Sequence, residues 1–137
     1  MFRALVIDDQ RIFKGVPNQP VNEVLDIVHE TTSDDGFVTL VTGQPWDVVL
    51  LDHDLGLDST QNGYEMIMDV IDAMEVEGAE LDVKQFYVHS MNPVGASRMV
   101  SALIRYFPVA RIDPTPYLDF ETMDAKNRNP YLAGPRR

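Results

Sequence analysis

Ala4-Leu5-Val6-Ile7-Asp8-Asp9 is the stretch that decides the fold, because an unbroken apolar run passes straight into two adjacent carboxylates. A run of that kind, continuous and not alternating, fits a central parallel strand buried on both faces, with the acidic pair carried to its carboxyl end. Val48-Val49-Leu50-Leu51 repeats the pattern and ends at Asp52. Phe86-Tyr87-Val88 repeats it again and ends at His89 and Ser90. Three buried strands that each stop at chemically capable side chains are not explained by packing alone.

Outward from these strands the periodicity changes to helical. Phe37, Leu40 and Val41 follow an N-cap expected at Ser33; Tyr64, Ile67, Met68 and Ile71 mark a second helix; Met99, Ala102, Leu103 and Tyr106 mark a third. The third has a clear start, with Asn92 as cap and Pro93 at the first helical position. Leu25 to Thr31 supplies a further strand and Val109 to Ile112 a short final one. Strands alternating with helices at these spacings call for right-handed crossovers, so the expected fold is α/β: a doubly wound, mainly parallel five-stranded sheet with helices on both sides. Ligands of such sheets bind beyond the carboxyl ends of the strands, where the polar residues fall. Residues 10 to 24, with Gly15, Pro17 and Pro20, read as a long loop in place of the first crossover helix. The domain is expected over residues 1–112, followed at 113–137 by a proline-rich C-terminal arm or tail.

The bulk properties narrow the function. With 137 residues the chain fits one domain around one core, and 45% hydrophobic against 24% charged residues is the balance of a packed protein. A formal charge of -11 argues against duplex nucleic acid as a partner, since neutralising a polyanion needs clustered Lys and Arg. The absence of Cys excludes thiolate metal sites, thiol nucleophiles and disulfides. The amino terminus turns acidic too soon for a signal peptide, and no apolar run approaches the roughly 20 residues that span a bilayer, so a cytoplasmic location with no membrane partner is expected.

Asp8, Asp9 and Asp52, at neighbouring strand ends, form the first candidate site. Hard carboxylate oxygens suit Mg²⁺ or Mn²⁺, completed by waters and phosphate oxygens, although single Asp residues also favour strand-to-loop transitions. Asp52-His53-Asp54 adds groups able to move protons. Alternation along the strand would put Asp52 and Asp54 on one face and His53 on the other, which leaves His53 either a direct role or a loop-anchoring one. His89, Ser90, Asn92 and Gly95 lie where a strand meets a helix start, a place that can receive an anion; the plainer reading makes Asn92 a cap and His89 a near-core residue. Arg11 could clamp a phosphate or pair with Asp9. Trp46, Phe86, Tyr87, Met66, Met68 and Met99 read as packing, and the acidic residues from Asp69 to Asp82 as a solvated helix face.

These residues resemble the response-regulator receiver superfamily over about residues 3 to 112. The resemblance implies a receiver-like, flavodoxin-like topology in which Asp8 and Asp9 are the acidic pair for Mg²⁺, Asp52 the phosphoryl acceptor and Ser90 the hydroxylic residue after the fourth strand. The stretch Ala110-Arg111-Ile112-Asp113-Pro114 departs from signalling receivers, having no Lys before its proline. A closer resemblance is to the divergent cyclic-phosphate-processing receiver domains, carried by Asp8-Asp9-Gln10-Arg11, by Leu51 to Gly56 and by His89 to Gly95. It implies metal-dependent binding, with hydrolysis as the further step, of a small cyclic phosphate or phosphorylated nucleotide. Metal would sit on Asp8, Asp9 and Asp52; catalytic groups would be Asp52, His53, Asp54 and His89; Arg11, Ser90, Asn92 and Gly95 would hold phosphate. The alternatives are a non-enzymatic regulator phosphorylated at Asp52 and a ligand-sequestering module with a degenerate site. A homodimer is compatible with the acidic surface and the arm.

Overall fold

The computed structural model describes residues 1–78 and 80–115. Its elements run β1 (Phe2–Ile7), β2 (Leu25–Glu30), α1 (Ser33–Thr42), β3 (Val48–Leu51), α2 (Gly63–Glu77), β4 (Gln85–Val88), α3 (Pro93–Tyr106) and β5 (Arg111–Pro114). The strands form one sheet in the order β2-β1-β3-β4-β5 with every neighbouring pair parallel. That is the receiver-like arrangement expected, with no helix between β1 and β2.

The three central strands are buried on both faces because every one of their inner residues is apolar. Leu5, Ile7, Val49, Leu51, Phe86 and Val88 face the larger core, against Leu40 of α1, Met66, Ile67, Val70 and Ile71 of α2, and Met99 and Leu103 of α3. Ala4, Val6, Val48, Leu50 and Tyr87 face the opposite way and meet Phe13 and Val16. This corrects the expectation of helices on both sides: among the described residues all three helices pack on one face, and the loop between β1 and β2 covers the other. Gly15, Pro17 and Pro20 deny that segment a helix, yet it still buries two large apolar side chains.

Helix starts are fixed by caps. The side chain of Thr32, not Ser33, caps α1 by accepting from the Asp35 N–H at 3.2 Å. Ser33 is fully buried, and its N–H donates to Ser59 Oγ at 2.9 Å. Asn62 and Glu65 form a reciprocal capping box on α2. Asn92 caps α3 with Pro93 in its first turn, as expected. The acidic residues of α2 and the following turn, Asp72, Glu75, Glu77, Glu80 and Asp82, are exposed.

β5 begins at Arg111 and extends to Pro114, which pairs with Val88. An edge strand tolerates a terminal proline because no neighbour needs its missing N–H. The strand therefore crosses the boundary expected at residue 112, and the arm expected beyond it lies, from residue 116 on, outside the described residues. No helix among the described residues is long and apolar enough to cross a membrane.

At the amino-terminal edge of the sheet, Arg3 pairs with Asp26 and stacks its guanidinium 4.4 Å from the centre of the Trp46 ring. That edge is a structural clamp. The chemically capable residues gather at the other edge.

Candidate functional site

Sheet register builds the site. Ile7 pairs with Leu51 and Leu51 with Val88, so the next residue on each strand, Asp8, Asp52 and His89, falls in one row across β1, β3 and β4. The ladder continues one step into that row: the Asp52 N–H donates to Ile7 O and the His89 N–H to Leu51 O, both at 3.0 Å. Because side chains alternate, all three point away from the helices toward the loop-covered face, where Phe13 meets the His89 ring edge-on at 5.4 Å. Asp8, Asp52 and His89 are buried, and each offers a ligand atom within 4.8 Å of the other two.

Arg11 is drawn into the same cluster and is itself only 4% exposed. Its Nε lies 2.9 Å from Asp8 Oδ2, its Nη2 3.4 Å from Asp52 Oδ2, and its Nη1 donates to the His89 carbonyl at 3.2 Å. Among the described residues its ion pairs are thus with Asp8 and Asp52, not with Asp9. Asp8 Oδ1 accepts from the N–H groups of Gln10 and Arg11, and Oδ2 also accepts from His89 Nε2 at 2.8 Å. His89 Nδ1 is buried with no hydrogen-bond partner among the described residues.

The carboxyls of this row differ electrostatically. Burial opposes ionisation of Asp8, but the hydrogen bond and charge of His89, the Arg11 guanidinium and the Gln10 N–H outweigh it and hold its carboxyl below the usual range. Asp52 goes the other way: burial and the charge of Asp8 push it up despite His89, Arg11 and the His53 N–H. Partial burial and Asp8 push Asp9 up as well.

Asp9, one residue further along the alternating chain, lies outside the converging group. Its carboxylate rests against Gly56, where φ is +77° and a Cβ would fall 2.5 Å from Asp9 Oδ2. Asp9 and Asp54 instead line, with Gln10, Arg11, Asp52, Gly56 and Met91, an open cleft of about 300 Å³ above the buried row. Fully buried His89 forms no part of that lining.

His53 takes the anchoring role. Its Nδ1 pairs with Asp54 Oδ1 at 2.8 Å, and its ring lies under the first turn of α3, where a Cβ on Gly95 would come within 2.4 Å of it. Gly95 is therefore needed for close approach of helix to imidazole. The Gly95 N–H donates to Asn92 Oδ1, and the Asn92 N–H donates to Ser90 Oγ, both at 3.0 Å. The groups expected to receive phosphate here thus satisfy the helix start first. Ser90 lines a second, apolar cleft of about 510 Å³ beside α3 and the end of β5, which shares Met91 with the acidic one and, among the described residues, is lined by no titratable side chain.

Two carboxylates and an imidazole at one point suit a divalent ion that accepts mixed oxygen and nitrogen ligands. The donor set fits, and Arg11 already lies on the same carboxylates. Sequence reading named every member of this cluster but grouped Asp9 with Asp8 and Asp52 and gave His89 another task. The signal that separates them is strand alternation combined with register.

A family model described as Cyclic-phosphate processing Receiver domain matches residues 3–105, a span that contains every residue of the site. No curated protein matches the chain. Among solved structures, a chain titled as yeast Spc42 trimeric coiled-coil amino acids 181–211 fused to another structure aligns at 15% identity and a TM-score of 0.45, covering 82% of this chain. This chain spans 64% of that one, and a likeness at that level carries no argument about fold or function.

Proposed function

Since the chain belongs to the family of cyclic-phosphate processing receiver domains, we propose that it binds a small cyclic phosphate or phosphorylated nucleotide in a metal-dependent manner and opens the cyclic ester by hydrolysis. The observation that carries this reading is the convergence of Asp8, Asp52 and His89 beneath a cleft lined by two further carboxylates and Arg11. Asp8, Asp52 and His89 would hold Mg²⁺ or Mn²⁺. When bound, such an ion polarises a phosphoryl oxygen and lowers the pKa of coordinated water.

The chain's own residues supply the rest. Asp54, held by His53 and open to the cleft, is placed to accept a proton from an attacking water. Asp9, whose carboxyl is pushed up by partial burial and Asp8, is the better candidate to return a proton to the leaving alkoxide. Arg11 is the nearest guanidinium to a phosphoryl group seated in the cleft. Met91 and the adjoining apolar cleft offer a surface for the remainder of the ligand.

The test is to offer purified protein a panel of 2′,3′- and 3′,5′-cyclic nucleotides with Mn²⁺ and to follow phosphomonoester by ³¹P NMR. Turnover in wild type that falls by about 10²-fold or more in Asp54→Asn, within the range general bases contribute, supports the reading. Unchanged affinity and turnover in a folded Asp52→Asn would overturn it. A stable mass increase with a small phosphodonor, absent from Asp52→Asn, would point to a phosphorylated regulator instead.

A further inference from the structure

Asp8 already carries three hydrogen bonds and an ion pair with Arg11. A carboxylate offers about four lone-pair directions. Here Oδ1 accepts from the N–H groups of Gln10 and Arg11 at 2.8 and 3.0 Å, while Oδ2 accepts from His89 Nε2 at 2.8 Å and lies 2.9 Å from Arg11 Nε as an ion pair. Asp52 is more open, with the His53 N–H on Oδ1 at 2.8 Å and Arg11 Nη2 loosely on Oδ2 at 3.4 Å. A divalent ion sharing Asp8 and Asp52 therefore needs the oxygens that Arg11 now holds. It also cannot remain beside a buried guanidinium without strong like-charge repulsion.

We infer that Arg11 is a resident cation that competes with the divalent ion for Asp8 and Asp52, and that a phosphoryl anion relieves the competition by giving the displaced guanidinium a new partner. The inference rests on the metal-dependent phosphate site proposed above and adds the order in which that site loads. Arg11 already lines the cleft, so its side chain need only exchange carboxylate oxygens for phosphate oxygens on the same side of the buried row. Metal and phosphate then bind with positive coupling, and by linkage each raises the affinity of the other by the same factor. Metal without phosphate binds weakly, which confines the loaded state to occasions when a phosphorylated ligand is present.

The experiment is titration of Mn²⁺, read by the loss of its free-ion electron paramagnetic resonance signal, into wild type, Arg11→Gln and Arg11→Lys, each with and without millimolar inorganic phosphate. The expected result is that Arg11→Gln, alone, binds Mn²⁺ about tenfold more tightly than wild type. Phosphate should tighten Mn²⁺ binding at least about fivefold in wild type, within the usual span of coupling between sites, and clearly less in Arg11→Gln, where only the direct attraction between ion and phosphoryl oxygen remains. Arg11→Lys keeps one charge but cannot reach both carboxylates and the His89 carbonyl; it should fall between the two, and it serves as the test if Arg11→Gln fails to fold. Wild type binding Mn²⁺ as tightly as both variants, or phosphate coupling as large in Arg11→Gln as in wild type, would overturn the inference and leave the metal site standing. Absence of Mn²⁺ binding in every protein under both conditions would remove the metal site and the inference together.

Discussion

His29 ties the loop that carries Arg11 to the sheet: its Nε2 accepts from the Phe13 N–H at 3.0 Å. Burial lowers its pKa from the ordinary 6.5, against the opposing charge of Asp8. A donor aimed at Nε2 also requires that nitrogen to be unprotonated. With the folded pKa below the unfolded one, the unfolded chain takes up the proton first as pH falls, so the contribution of His29 is complete above 6.5 and is lost as pH drops through 6.5 toward the folded value. Urea unfolding between pH 7.5 and 5.5 should show wild type losing stability, and His29→Gln, whose amide oxygen can still accept from Phe13, losing less. Equal pH slopes would mean that His29 titrates alike in both states. At this scale the sequence is a good guide to which residues matter and a poorer one to how they group. Asp8 and Asp9 are adjacent and alike on paper, but alternation sends only Asp8 to the row formed with Asp52 and His89, and that row exists only once β1, β3 and β4 are known to be neighbours.

Among the elements, the loop between β1 and β2, expected as a loop, does the covering work that a crossover helix does in a doubly wound sheet. The missing helix is legible from Gly15, Pro17 and Pro20. The packing of the loop is not, because Phe13 and Val16 carry no periodic signal that distinguishes an inward-folded loop from a solvated one. Phe13 is 2% exposed, closes the second core cluster and meets His89 edge-on. Phe13→Ala should therefore cost about 3 kcal/mol, the lower end of the range for buried Phe because a loop can partly collapse into the space. It should also weaken Mn²⁺ binding by loosening His89. A loss below about 0.5 kcal/mol, the scale of a surface substitution, would show that the loop is only a tether. The helix starts were the more readable elements, since Asn92 and Pro93 announce α3 by their own chemistry. At α1 two hydroxyl residues compete for the cap, and tertiary contacts that engage the Ser33 hydroxyl, which accepts from the Gln61 N–H, leave the cap to Thr32.

For the whole molecule the central question is whether a divalent ion acts at one place or everywhere. A chain of net charge -11 attracts cations over its entire surface, and any of them stabilises the fold by reducing self-repulsion. That diffuse effect is largely screened at about 0.15 M salt, where charges further apart than about 8 Å scarcely interact. Binding at the buried row is not screened in the same way, and it adds about 2.7 kcal/mol of stability at a hundredfold excess of ion over its dissociation constant. For a domain of this size the corresponding rise in Tm is about 10 °C. Wild type in Mn²⁺, inorganic phosphate and physiological salt should show a rise of that order relative to the same buffer without Mn²⁺. Asp8→Asn removes a carboxylate held ionised by His89 and Arg11, so it should start less stable and gain almost nothing from the ion. If instead both proteins rise by the same amount, the ion is responding to total charge, and the row of Asp8, Asp52 and His89 is a structural ion-pair network organised by Arg11.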